Sequence, residues 1–213
     1  MSTSRLKIYN DALILCGERT LSALTENREG RYLLDQVWDN DGVRFCLESG
    51  QWRFASRTIQ IDYDTGITPD FGYLRAFPKP SDWCATLAIS EDEYLNANLI
   101  HYNDENGYWY ADVDTIYVRY VSDHADWGND LSIWPAHFSK YVSAYFASEI
   151  ILKLTADENK RDGVLKLARQ KMNEAKNHDM MGDPAKFPPE GSWSASRRGR
   201  STRDRGRRTS LTG

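Results

Sequence analysis

The chain has 213 residues, 40% of them hydrophobic and 12% aromatic, and a formal charge of −4 at neutral pH. That length suffices for one domain with a substantial core, or for one core with a smaller lobe. No apolar run approaches the roughly 20 residues of a membrane helix, and Asn10 and Asp11 break the apolar stretch near the start, so neither a membrane span nor a signal peptide is expected.

In chain order, Ser4 is placed to cap a first helix over 4–16, with Leu6, Tyr9, Leu13 and Cys16 at helical spacing and Gly17 as the stop. Residues 18–27 read as a loop. A second helix is predicted over 28–49, with Leu34, Trp38 and Phe45 on one side, Val37 beside them, and Asp41-Gly42 interrupting the stripe. Thr58–Tyr63 alternates as a half-buried strand does, and Gly72–Phe77 is a weaker strand closed by Pro78 and Pro80. Leu99–Tyr102 and Tyr108–Tyr110 flank Asn103–Gly107, whose Asn-Gly pair supplies the positive φ of a tight hairpin. Ile116–Val121 is the clearest strand.

Helical periodicity then returns. Pro135 fits a first helical turn. Trp134, Phe138, Tyr141, Tyr145 and Leu152 line one face of the helix that follows, and Val142, Phe146 and Ile150 an adjacent one. Two apolar faces predict deep burial. A last helix over 157–177 carries Val164, Leu167, Ala168 and Met172 on one side. The fold expected is α+β: a helical bundle (1–55 and 131–178), an inserted small antiparallel β lobe (56–130) and an extended Arg-rich C-terminal arm (179–213).

Few residues are arranged for chemistry. His101, His124, His137 and His178 show no metal-ligand spacing, and Cys16, Cys46 and Cys84 form no CxxC, which favours buried thiols over disulfides or zinc. Phosphate-binding glycine loops and the serine-hydrolase elbow are absent from the sequence. Carboxylates gather at Asp62 and Asp64, Glu91-Asp92-Glu93, and Asp112 and Asp114. Paired carboxylates can hydrolyse glycosides, but acidic turns are usually solvated surface. Neither a catalytic residue, a cofactor nor a metal is expected.

The charge split is more informative. Residues 193–213 carry seven Arg against one acid, while residues 1–192 carry 20 Lys and Arg against 30 Asp and Glu. The basic segment reads in three ways: docking on an acidic protein groove, sequence-independent phosphate binding, or a solvated tail. The protein-docking reading makes Trp193 the anchor and Arg197, Arg198, Arg200, Arg203, Arg205, Arg207 and Arg208 the pairing groups, with the portal as acceptor.

Asn10-Asp11-Ala12-Leu13 with Leu15-Cys16-Gly17-Glu18, then Trp52-Arg53-Phe54-Ala55, the tyrosine-rich β lobe and Trp134-Pro135 before a long helix, together resemble the tail tubular protein A family of podoviruses. The likeness covers residues 5–178. It implies a structural virion protein at the head–tail interface: a dodecameric ring that connects the portal to the tail nozzle protein and lines the channel for DNA ejection. Tail fibres are a further partner it brings into view. An acidic body suits such a lumen, since like charge gives genomic DNA no counterion-release binding. Two other functions stay open on the sequence, a nucleic-acid-binding protein acting through the arm and a virion-associated glycan hydrolase.

Overall fold

The computed structural model describes residues 3–182. Helix α1 (Arg5–Cys16) starts at Ser4, whose hydroxyl accepts from the Lys7 amide, and ends at Gly17 in the left-handed conformation. Its buried residues Ile8, Tyr9, Ala12, Leu13 and Cys16 recur at three and four residues, the face a 3.6-residue period produces. The loop after it is tied back to the helix by Asn10, whose side-chain amide donates to the Leu21 carbonyl and whose oxygen accepts from the Leu21 amide at 2.7 Å.

The single helix expected over 28–49 is broken in two. Helix α2 (Glu29–Val37) and helix α3 (Val43–Glu48) are separated by an irregular turn, Trp38–Gly42, in which Asn40 leaves helical dihedrals and Asp41 takes φ 60°. Asp39, Asn40 and Asp41 carry side chains that compete with helical hydrogen bonding, and Gly42 adds a backbone entropy cost. The break resets the helical phase. Helix α3 therefore buries Val43, Cys46 and Leu47, while Phe45, expected inside, is exposed and stacks on Tyr145 at 4.8 Å.

Six strands follow: β1 (Ser56–Asp62), β2 (Arg75–Pro78), β3 (Trp83–Ser90), β4 (Asn103–Glu105), β5 (Tyr108–Ala111) and β6 (Thr115–Ser122). They form two antiparallel sheets, ordered β1-β6-β3 and β2-β5-β4. Phe77, Ile89, Trp109, Ala111, Ile116, Val118 and Tyr120 form one apolar cluster drawn from both sheets. Two expectations are corrected here. Leu99–Tyr102 is loop, and β4 is Asn103–Glu105, so the hairpin turn contracts to Asn106-Gly107, both at positive φ (50° and 79°) as a two-residue turn requires. Strand β3 was not expected at all.

Helix α4 (Ala136–Thr155) is the bundle's central element. Pro135 is its N-cap rather than a first-turn residue, and Leu152 is exposed rather than buried. Phe138 gathers Trp52 (4.8 Å), Phe54 (4.8 Å) and Trp134 (4.9 Å) around its ring. Such pairs contribute about 0.5–1.5 kcal/mol each beyond their burial. After Ala156, in the left-handed conformation, Asp157 caps helix α5 (Glu158–Met181), which buries Val164, Ala168 and Ala175. Helix α5 continues past the expected boundary at 178: the Asp179 carboxylate accepts from the Arg53 amide. No helix among the described residues is long and apolar enough to cross a membrane.

Bundle and lobe meet through a shared core. Cys84 of β3 and Val121 of β6 belong to the same buried cluster as the residues of α1 to α4. Arg44 of α3 reinforces the seam, donating to Asp123 at 2.8 Å and to the Trp83 carbonyl at 2.7 Å. Gly128 passes so close to the Ser122 carbonyl that a Cβ there would lie 2.1 Å from it. Phe146 is fully buried, edge-on to Trp38 and beneath the chain turn at Gly42. Phe146→Ala is expected to lower unfolding free energy by about 3–5 kcal/mol, read from urea titrations; a loss below about 1 kcal/mol would show that α4 is not the central helix.

Candidate interaction surface

The arm residues singled out from the sequence, Trp193, Arg197, Arg198, Arg200, Arg203, Arg205, Arg207 and Arg208, lie outside the described residues. The other candidates can be placed. Among the described residues no group of three or more His, Cys, Asp or Glu side chains is arranged to hold a metal ion. His137 and His178 do come together, their rings 4.3 Å apart where the first turn of α4 meets the last turn of α5, but both are exposed. The three thiols are buried. Burial pushes Cys16 up to about 11 and Cys84 up to about 12, and raises Cys46 further still, so all three are protonated and poorly nucleophilic at neutral pH.

The flagged carboxylates gather at one end of the β lobe. The register places Asp62 opposite Thr115, and Arg75 opposite Ala111. Ser90 ends β3 opposite Tyr117. The loops 63–74, 91–102 and 112–114 therefore all leave the lobe at the same end, away from the seam with the bundle. Each flagged aspartate has a local task. Asp62 accepts from the Thr115 hydroxyl, Asp64 from the Gly66 amide, Asp112 from the Leu74 amide, and Asp114 pairs with Arg75 at 2.9 Å.

This tip also exposes large apolar side chains, which the sequence did not reveal. Ile100 is 83% exposed, Tyr94 74% and Leu74 72%. Two of the three loops are 12 residues long between their strands. Loops approaching that length without secondary structure of their own are uncommon in compact domains, and are usually either functional or linker segments. The loop 91–102 is also held in shape. Asp92 accepts from the Tyr94 amide and from the Asn96 side chain, the Ser90 hydroxyl donates to the Ala97 carbonyl, and the Leu99 amide returns to Ile89. Between Tyr94 and Asn96, Leu95 is forced to φ 54°, a conformation costly for a branched side chain. The amide of Tyr94 at Asp92 holds that carboxyl below its usual range. The result is a fixed loop that presents Tyr94 and Ile100 to solvent amid carboxylates. It offers apolar contact and anionic pairing to a partner.

Two further polar clusters hold the lobe together. Burial opposes charge on Asp82, but hydrogen bonds from Ser122, Arg57 and Tyr120 together outweigh it and keep the carboxyl below its usual range. Lys79 lies 3.7 Å from the Trp83 ring centre and pairs with Asp104, which also accepts from the Trp109 indole. Open grooves of about 240 Å³ lie on the bundle, one between α2 and α4, the other between α1, α4 and α5.

The chain matches no protein-family model and no curated protein. The residues that carry the resemblance drawn from the sequence have structural roles. Asn10 ties a loop, Ala12 and Leu13 fill the core, and Gly17 ends α1. Trp52 is buried with its indole donating to the Cys46 carbonyl, and the Trp134 indole donates to Gly128.

Two outcomes follow. Asp82 has a depressed pKa in the folded state, so its network stabilises above the unfolded carboxyl value of about 4 and is lost as pH falls below it. Asp82→Asn should lower Tm at pH 7 and flatten the decline of Tm through the acid range; an unchanged acid limb would remove Asp82 from that role. The three thiols should resist Ellman's reagent in the native protein and all react on denaturation, and immediate modification of the native protein would overturn the burial assigned to them.

Proposed function

We propose that the chain is a ring-forming structural adaptor of a short-tailed phage virion, connecting portal to tail nozzle around the DNA channel. The observation that carries this reading is the lobe tip: a hydrogen-bonded projection with exposed Leu74, Tyr94 and Ile100, on a lobe whose far end shares the buried core of the bundle. Exposed apolar groups on a braced loop are what a subunit needs when it is stable alone but must bind neighbours. A helical bundle with a β lobe is also the architecture that the resemblance implies, and the residues carrying the resemblance hold that architecture in place. The body is acidic: residues 1–182 carry 19 Lys and Arg against 28 Asp and Glu. A channel wall of that sign would let DNA slide without adhesion.

Purified full-length chain, imaged by negative-stain electron microscopy alone and with portal particles, tests the proposal. Closed rings, or rings capping the portal, are the expected result. A protein that stays monomeric at high concentration and leaves portal particles bare would overturn it.

A further inference from the structure

We propose that the tip of the β lobe is the docking surface for the basic C-terminal segment, residues 183–213, of a second copy of this chain. The inference rests on the ring-forming reading and names the contact that closes the ring.

The two surfaces are complementary in charge. Residues 62–75, 91–103 and 111–115, which make up the tip, carry eight carboxylates against the single Arg75. Residues 183–213 carry eight Lys and Arg against three Asp and Glu. They are complementary in apolar content as well. The tip exposes Leu74, Tyr94 and Ile100. The segment contains Phe187, Trp193 and Leu211 among residues otherwise rich in Pro, Gly, Ser and Arg.

Both kinds of contact are needed. Ordering an extended segment costs backbone entropy at every residue, and ion pairs at a solvated rim return little. Charge can steer the segment to the tip, but apolar anchors must hold it there. The tip lowers its own share of that cost. Asp92 and Ser90 fix the loop before any partner arrives, and the strained backbone at Leu95 is paid for by those same contacts. The segment has 31 residues, a length of chain that spans up to roughly 100 Å when extended.

A second copy is the occupant because every copy offers one basic segment and one acidic tip. A contact between unlike patches of identical chains is head-to-tail, and head-to-tail contacts generate a ring where the rotation between copies closes. Docking within one chain would cover the tip and leave the copies unlinked.

Two full-length variants test the inference. Tyr94→Ser with Ile100→Ser alters the tip at exposed positions that carry no core packing. Arg203→Glu, Arg205→Glu, Arg207→Glu and Arg208→Glu together reverse the segment. In sedimentation velocity at physiological salt, each variant alone should associate at least tenfold more weakly than wild type. Mixed one to one, they should form pairs, because the intact segment of the first meets the intact tip of the second. Variants that form rings as wild type does would overturn this inference and leave the ring reading standing. A mixture with no gain would assign the segment to its own chain. Variants that assemble normally but fail to attach to portal would assign it to the portal. Either result overturns docking on a second copy. Wild-type protein that never associates would remove the ring reading and this inference together.

Discussion

Strand β6 is constrained on both faces, and the architecture depends on that constraint. Ile116, Val118 and Tyr120 point into the lobe's own core, while Val121, on the opposite face, enters the bundle's. The strand is also hydrogen-bonded on both edges, to β1 and β3. A strand held on four sides cannot slip by one residue without turning its core side chains to the wrong core. The polar groups at its end follow from this. Ser122 and Tyr120 donate to Asp82, and Arg57 reaches the same carboxylate from β1. Arg44 then fixes α3 to the neighbouring backbone. With the seam fixed at the Ser122 end, the Thr115 end and its loops must project away from the bundle.

The sequence shows some of this clearly. Helix α1 is legible because Ser4 and Gly17 mark its ends and its apolar spacing is regular. Strand β6 is legible because apolar residues alternate along it. Helix α4 is legible through its two apolar faces, and the inserted β lobe through the change of period after Ala55. Strand β3 is not legible, for a physical reason. Its pairing with β6 shifts register twice, between Trp83 and Ala85 and between Thr86 and Ala88, so the two-residue period is lost in Trp83–Ser90. The break at Trp38–Gly42 was visible as an interrupted stripe, but its consequence, the change of phase that exposes Phe45, needs three-dimensional geometry.

The tip was half legible. The acidic runs are plain in the sequence and read as solvated turns, which fits the local hydrogen bonds that Asp62, Asp64 and Asp112 make. The apolar half was hidden, because Leu99-Ile100 beside His101-Tyr102 has the composition of a strand. Only the register of β4 and β5 places Ile100 in a loop and turns it outward. A hydrophobic residue in a strand-like run is ordinarily core, so composition alone points the wrong way at this position.

The packing of α1 against α4 carries a consequence for how the molecule is made. Thr3, just ahead of α1, and Ser139 of α4 touch across 136 positions of sequence, and the whole β lobe lies between the two helices. Closing so long a loop is entropically slow, and chains dominated by such distant contacts fold slowly. The lobe, whose strands all lie within residues 56–122, is able to pair before α4 has left the ribosome. The bundle is not: α1 must wait, its apolar face unpartnered, until α4 emerges. The basic segment follows α4 and α5 in the chain, so synthesis delivers it only after the acidic tip and the partner helix of α1 have both been made.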